Sequence, residues 1–242
     1  MTDELNRLKE LTKDILKQET QLDEISKQKT MLLDVLNTLN FVDSELDSIV
    51  AILKIVKDFT GVEAAAIRIE DGKDYPYYVI RGFPEEFIKI ENSLCSKDGA
   101  TDNDNYECFC GCVIRECAGH EYEYFTRGGS FFTPNASALL QEHRPLPDGI
   151  KVRATCIKFG YETIALVPLR ARDRIIGLLQ LNDKRKNAIS KDTVTFFEKA
   201  GLSIGVAFER IRLLNKLKAE CLGEGNDRPN KDNKLQADNP TA

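Results

Sequence analysis

The chain reads as an α+β fold, and three observations predict it. Two pairs of β-rich runs, residues 62–69 with 75–83 and residues 163–169 with 175–182, are each joined by a short charged turn, as in hairpins of antiparallel strands. Segments with helical spacing of apolar residues precede the first hairpin and follow the second. Between the hairpins, residues 91–160 show neither period strongly and hold six of the seven cysteines.

The 242 residues, 42% of them apolar, suffice for one good core and fit one domain with extensions. The start, Met1-Thr2-Asp3-Glu4, leads into a charged, helix-prone stretch rather than a basic segment followed by an apolar one. No apolar run approaches the roughly 20 residues that a membrane span requires. A cytoplasmic protein without a membrane partner is therefore expected. In that compartment permanent disulfides are opposed, and clustered cysteines more often serve metal or redox chemistry. A net charge of −5, with the basic residues dispersed among acids, argues against nucleic acid as the main partner.

The elements follow in order. From Leu8 a heptad pattern runs through positions 8, 15, 22, 29, 36 and 11, 18, 25, 32, 39; eight of the ten are Leu or Ile, broken by Gln18 and Lys29. No Gly or Pro precedes Gly61. Residues 1–42 are thus expected to form a coiled-coil-like helix that pairs with a second copy. Asp14 and Glu19, which would repel across a parallel pair, leave its orientation open. From Met31 the stripe widens to Leu33, Val35 and Phe41, which suits a helix bundle. After Asp43-Ser44, the residues Leu46, Ile49, Val50, Leu53, Val56 and Phe59 repeat at helical spacing until Gly61 ends the run. Glu70-Asp71-Gly72-Lys73-Asp74 turns the first hairpin and Arg170-Ala171-Arg172-Asp173-Arg174 the second, with Gly177 marking a bulge or close packing. Ser190 caps a long helix with Asp192 in its first turn, and Ala200, Gly201, Gly205 and Ala207 leave room for a close neighbour. A core domain over 43–218 is followed by polar residues 219–242, read as a disordered tail.

The order helix, hairpin, insertion, hairpin, helix resembles a GAF domain. The likeness spans residues 43–218 and is most specific in Pro168-Leu169 followed by Ile175-Ile176-Gly177-Leu178-Leu179-Gln180-Leu181, with the terminal helix through Phe196-Phe197-Glu198. Glu107-Cys108-Phe109-Cys110-Gly111, Phe125-Thr126-Arg127-Gly128-Gly129-Ser130-Phe131 and Gly160-Tyr161-Glu162-Thr163 are similar to a cysteine-rich GAF subgroup of bacterial and archaeal sensor kinases and related signalling proteins. The resemblance implies an antiparallel sheet flanked by helices, a small-molecule or cofactor pocket on one face, and a homodimer formed through the N- and C-terminal helices. No kinase, phosphodiesterase or DNA-binding segment follows in the sequence, so output through a signalling partner protein or the helices themselves is expected.

The insertion is the expected site. Its aromatics (Tyr106, Phe109, Tyr124, Phe125, Phe131, Phe132) favour a folded lid over a solvated loop. Thr133-Pro134 reads as the cap and first residue of a short helix through Leu140. Gly128-Gly129 offers a turn whose amides can face a ligand, making Phe125, Gly128, Gly129 and Ser130 the cofactor-binding candidates. Cys108 and Cys110 share one side of any extended segment, and thiolates suit zinc or an iron–sulfur cluster. The set Cys95, Cys108, Cys110 and Cys156 is the one the resemblance implies, since these stand where the subgroup carries its own cysteines. Cys112 and Cys117 are spare candidates, with Gly111 expected to start a helix through Cys117. His120 or His143 could supply a further ligand, although a surface histidine is the commoner outcome, and Arg153 can pair with an anion or simply a surface acid. Two other readings of the thiols stay open: small buried hydrophobes, and a metal-free redox switch. The functional expectation is a non-enzymatic sensor with a metal or metallocofactor in the lid. The alternatives are a metal-free small-molecule receptor and a thiol reductase of the kind in which GAF proteins reduce free methionine sulfoxide.

Overall fold

A five-stranded antiparallel sheet with helical layers on both faces organises the chain in the computed structural model, which describes residues 2–41, 44–95, 106–117, 122–141 and 151–222. In chain order the elements are α1 (Thr2–Phe41), α2 (Glu45–Thr60), β1 (Ala64–Ile69), β2 (Tyr77–Arg81), α3 (Glu85–Glu91), α4 (Cys108–Arg115), β3 (Phe131–Thr133), α5 (Ala136–Gln141), α6 (Thr155–Lys158), β4 (Thr163–Ala171), β5 (Arg174–Asp183) and α7 (Lys191–Leu222). The strands stand in the order β2-β1-β5-β4-β3. The two expected hairpins are β1–β2 and β4–β5, and β5 pairs β1 from Ala64 opposite Asn182 to Ile69 opposite Gly177. Gly177 is required there: a Cβ would run into the carbonyl oxygen of Arg68 on the neighbouring strand.

Period-2 alternation divides the sheet into two cores. Ala65, Ile67 and Ile69 of β1 and Leu179 and Leu181 of β5 face α2, α7 and the end of α1, where Met31 and Val35 are buried against Ile49, Leu53 and Phe208. Ala64 and Ala66 of β1 and Leu178 of β5 face the insertion, as do Ile164 and Leu166 of β4. The alternation puts Arg68, Gln180 and Asn182 on that second face, all buried.

Local signals set the helix ends. Ser44 accepts a hydrogen bond from the amide of Asp47, and Gly61 closes α2 in the left-handed region. Ser190 accepts from the amide of Thr193 at the start of α7. Along α7, a Cβ on Gly205 would meet the backbone of Arg170 in β4, so helix and sheet touch at main-chain distance. That helix runs to Leu222, past the expected tail boundary, and residues 223–242 lie outside the described residues. Toward its N-terminus α1 is exposed: Leu8, Leu11, Leu22 and Ile25 each keep more than half of their surface exposed.

The insertion contains more structure than its sequence suggested. Phe131–Thr133 forms an edge strand on β4, so Thr133 belongs to β3, and the cap of the following helix is Asn135, whose side chain accepts from the amide of Ala138. The cysteine segment is also not extended. Cys108 already begins α4, because Gly111 donates back to the carbonyl of Glu107 and leaves room for Tyr106, whose backbone would clash with any Cβ there.

Candidate functional site: a thiol cluster beneath the lid

Three cysteines from two lid segments converge over the polar patch of the sheet. Cys108 and Cys110 come from the first turn of α4 and Cys156 from α6, and each thiol lies in the electrostatic range of the other two. Their backbone supports are unusual. Cys108 has φ 64 and Ala154, which caps α6, has φ 56, conformations that non-glycine residues keep only when their surroundings hold them. At Cys108 the nearby backbone amides of Phe109, Arg153 and Ala154 favour the anionic sulfur, against the rise that burial imposes. At Cys156, the Gln180 amide lies 3.9 Å from the sulfur and Asn182 stands beside it, its Nδ2 buried without a hydrogen-bond partner.

The floor of the site is a connected polar network. Arg68, fully buried, donates to the carbonyls of Tyr75, Glu91 and Asn92 and stacks 3.5 Å above the Tyr77 ring. Tyr77 donates to Gln180 at 3.0 Å, and Gln180 donates to Asn182 at 3.2 Å. Glu91, 4% exposed, faces all three thiols and leaves Oε1 without a hydrogen-bond partner. Arg153 holds the rim. It pairs with Glu107, donates to the carbonyls of Ser93 and Cys95, and lies 3.8 Å from Glu91, so one side chain fastens three lid segments.

Burial is the main influence on all of these thiols. It pushes Cys110 up to about 12, with the fields of Cys108 and Glu91 adding to the rise and Arg68 opposing it. Cys156 is raised well above the ordinary thiol value by burial, then by its two neighbours. Cys108 is raised by burial and by Glu91, while the three amides pull the other way. In the absence of a cation the cluster is therefore protonated at neutral pH, although the donors around Cys108 and Cys156 suit anionic sulfur.

The sequence matches the GAF domain family over residues 46–208. The chain belongs to the GAF domain family. The match is to the family as a whole rather than to its cysteine-rich subgroup. Among solved structures, the GAF domain of a phosphoenolpyruvate-protein phosphotransferase from Coxiella burnetii is similar at 12% identity, with 79% of this chain and 98% of that chain covered and a TM-score of 0.56. The corresponding Acinetobacter domain gives 18%, 82%, 98% and 0.51, in the same order. A free methionine-R-sulfoxide reductase from Neisseria meningitidis, solved with its substrate, gives 13%, 77%, 91% and 0.53. At these identities the likeness is one of fold. Among curated proteins none matches in sequence.

Within this GAF domain the expected site residues separate into groups. Cys95 is not brought to the other three: its thiol donates to the carbonyl of Lys73, and its neighbours are Asp74 and Arg153. Cys112 and Cys117 are joined in a disulfide, because the left-handed Glu116 turns the chain back at the end of α4 and brings their Cα atoms to 5.2 Å. Phe125 packs in an aromatic cluster with Tyr124 and Phe131. The turn at Gly128, Gly129 and Ser130 rests on α7: Glu198 accepts from Thr126 and fills the space beside Gly128, and Ser130 is fully buried with its hydroxyl unpartnered. Within the turn the Gly129 amide donates to the carbonyl of Thr126. His120 and His143 lie outside the described residues.

As donors, three thiols and a buried carboxylate oxygen without a partner fit a thiophilic ion in kind. Among the described residues, no three His, Cys, Asp or Glu side chains stand close enough to hold one ion as they are arranged. Gathering them would require side-chain rotation.

Proposed function

We propose that this GAF protein is a sensor whose lid thiols Cys108, Cys110 and Cys156 take up a metal or metallocofactor, zinc or an iron–sulfur cluster, with Glu91 replacing Cys95 as the fourth donor. The observation that carries the reading is the meeting of three lid thiols with polar groups that favour anionic sulfur as hydrogen-bond donors: the backbone amides near Cys108 and the unpartnered Nδ2 of Asn182 beside Cys156. Neutral thiols accept such bonds weakly. Metal-bound thiolates accept them well, and such donors tune metal–sulfur centres.

The reading extends to the terminal helices. Leu8, Leu11, Ile15, Leu22 and Ile25 on α1 remain exposed in one protomer, as do Leu202, Val206, Leu213 and Leu217 on α7. A second copy of the chain covers these stripes in a homodimer, and loading of the lid biases how the helices pair, for relay to a partner protein. The reading is non-enzymatic, since burial raises every free thiol of the site and none is set up as the lowered-pKa nucleophile that thiol catalysis favours.

Anaerobic purification followed by metal and sulfide analysis and an absorption spectrum tests it. Bound zinc without colour, or iron with acid-labile sulfide and visible absorption, supports the proposal and tells the two cofactors apart. A metal-free protein contradicts it. Turnover of free methionine sulfoxide by that metal-free protein would assign the fold to the kind of activity that the Neisseria structure's name describes.

A further inference from the structure

We propose that the Cys112–Cys117 disulfide is a reversible clasp, opened by dithiols at Cys117, through which the redox state of the lid reaches α7. The bond is asymmetric: Cys112 is fully buried while Cys117 is exposed at the end of α4. A reductant therefore has one accessible sulfur to attack. The bridge spans only 5 residues, so it constrains little of the unfolded chain, and its effect is local to the turn it closes. That turn contains Glu116 at φ 53, a left-handed non-glycine residue enclosed between the bonded cysteines.

Glu116 connects the clasp to the rest of the molecule. Its carboxylate pairs with Arg170 of β4 at 2.7 Å. The Arg170 guanidinium also lies against Gly129, whose turn is held on α7 by Glu198 through Thr126, and the Arg170 backbone abuts Gly205 of α7. One arginine thus touches the lid, the glycine turn and the helix.

The exchange balances without a further reactant. A thiolate of the dithiol attacks Cys117 Sγ, the S–S bond breaks, and Cys112 Sγ leaves and takes up a proton. The second thiol of the reductant then closes its own disulfide and releases Cys117. Two electrons and two protons pass to the protein, and the dithiol is oxidised to a cyclic disulfide. Opening removes the constraint on Glu116, so the Glu116–Arg170 pair is lost and the Arg170 contacts to α7 loosen.

The test uses the full native chain poised in mixtures of reduced and oxidised dithiothreitol, with alkylation mapped by mass spectrometry and amide hydrogen exchange followed in parallel. Reduction without denaturant should make Cys112 and Cys117 newly alkylatable and cost protection both in α4 and in α7 between Glu198 and Gly205. Reoxidation should restore it. The double variant Cys112→Ser, Cys117→Ser should show the reduced pattern without dithiol, and Glu116→Gln, a change at an exposed residue, should keep the α4 response while removing the α7 response. A bond that resists dithiol until the protein is unfolded overturns the proposal, as does reduction that leaves α7 exchange unchanged. Neither readout depends on metal in the three-thiol site, so metal analysis judges that reading separately.

Discussion

Cys110 is the residue at which the energetics of the site are most exposed to measurement. It is 4% exposed, and burial holds its thiol at about 12 against an ordinary 9.0. A group whose folded-state pKa is raised contributes stability that is whole below the unfolded value and is lost as pH rises through the folded one. Denaturant unfolding of metal-free protein should therefore show declining stability from pH about 9 to about 12. Cys110→Ala should lower stability overall while flattening that slope; an unchanged slope would show that Cys110 does not carry it. The same protonation makes metal uptake proton-releasing, with apparent affinity rising with pH. How far such residues were legible in the sequence differs by kind. The cysteines were conspicuous, but the polar floor was not: Arg68, Gln180 and Asn182 sit inside apolar strands, and their one signal is that they share a face by alternation. Glu91 and Arg153 could not have been placed, since their roles depend on contacts between segments far apart in the chain.

At the scale of elements, the close seam between α7 and β4 makes a prediction whose sign is diagnostic. In an ordinary helix interior Gly→Ala stabilises by roughly 0.5–1 kcal/mol. At Gly205 the added Cβ meets the Arg170 carbonyl, so Gly205→Ala should instead destabilise by about 1–3 kcal/mol, read as a fall in the urea midpoint. A higher midpoint would show that the seam can open. Helices and hairpins were readable in the sequence because capping, turns and periodicity agreed there, as at Ser44, Gly61 and Ser190. The lid was read only in outline, because α3, α4 and α6 are 7, 8 and 4 residues long and too short for periodicity to declare them. Two differences between sequence and structure share this origin. The alternating cysteines suit an extended run, whereas Gly111 lets α4 start at Cys108, and the cap of α5 falls on Asn135 because Thr133 is drawn into β3.

Across the whole molecule, the proposed sensor needs its long helices to meet a second copy. Removing residues 1–27, whose described side chains are almost all exposed, should leave a folded GAF domain with unchanged circular dichroism per helical residue and a lower sedimentation coefficient than dimer. A full chain that already sediments as a monomer at micromolar concentration would remove the helix-pairing part of the account. No described helix is long and apolar enough to cross a membrane, so the exposed leucines of α1 are not a spanning segment. The central claim concerns what the three thiols hold, and it is tested most directly by metal content per protomer in anaerobically purified wild type, Cys108→Ser and Cys95→Ser. The account predicts a stoichiometric ion or cluster in the wild type, retention in Cys95→Ser and a sharp loss in Cys108→Ser. A wild type without metal, or a Cys108→Ser protein that holds as much as the wild type, would contradict it.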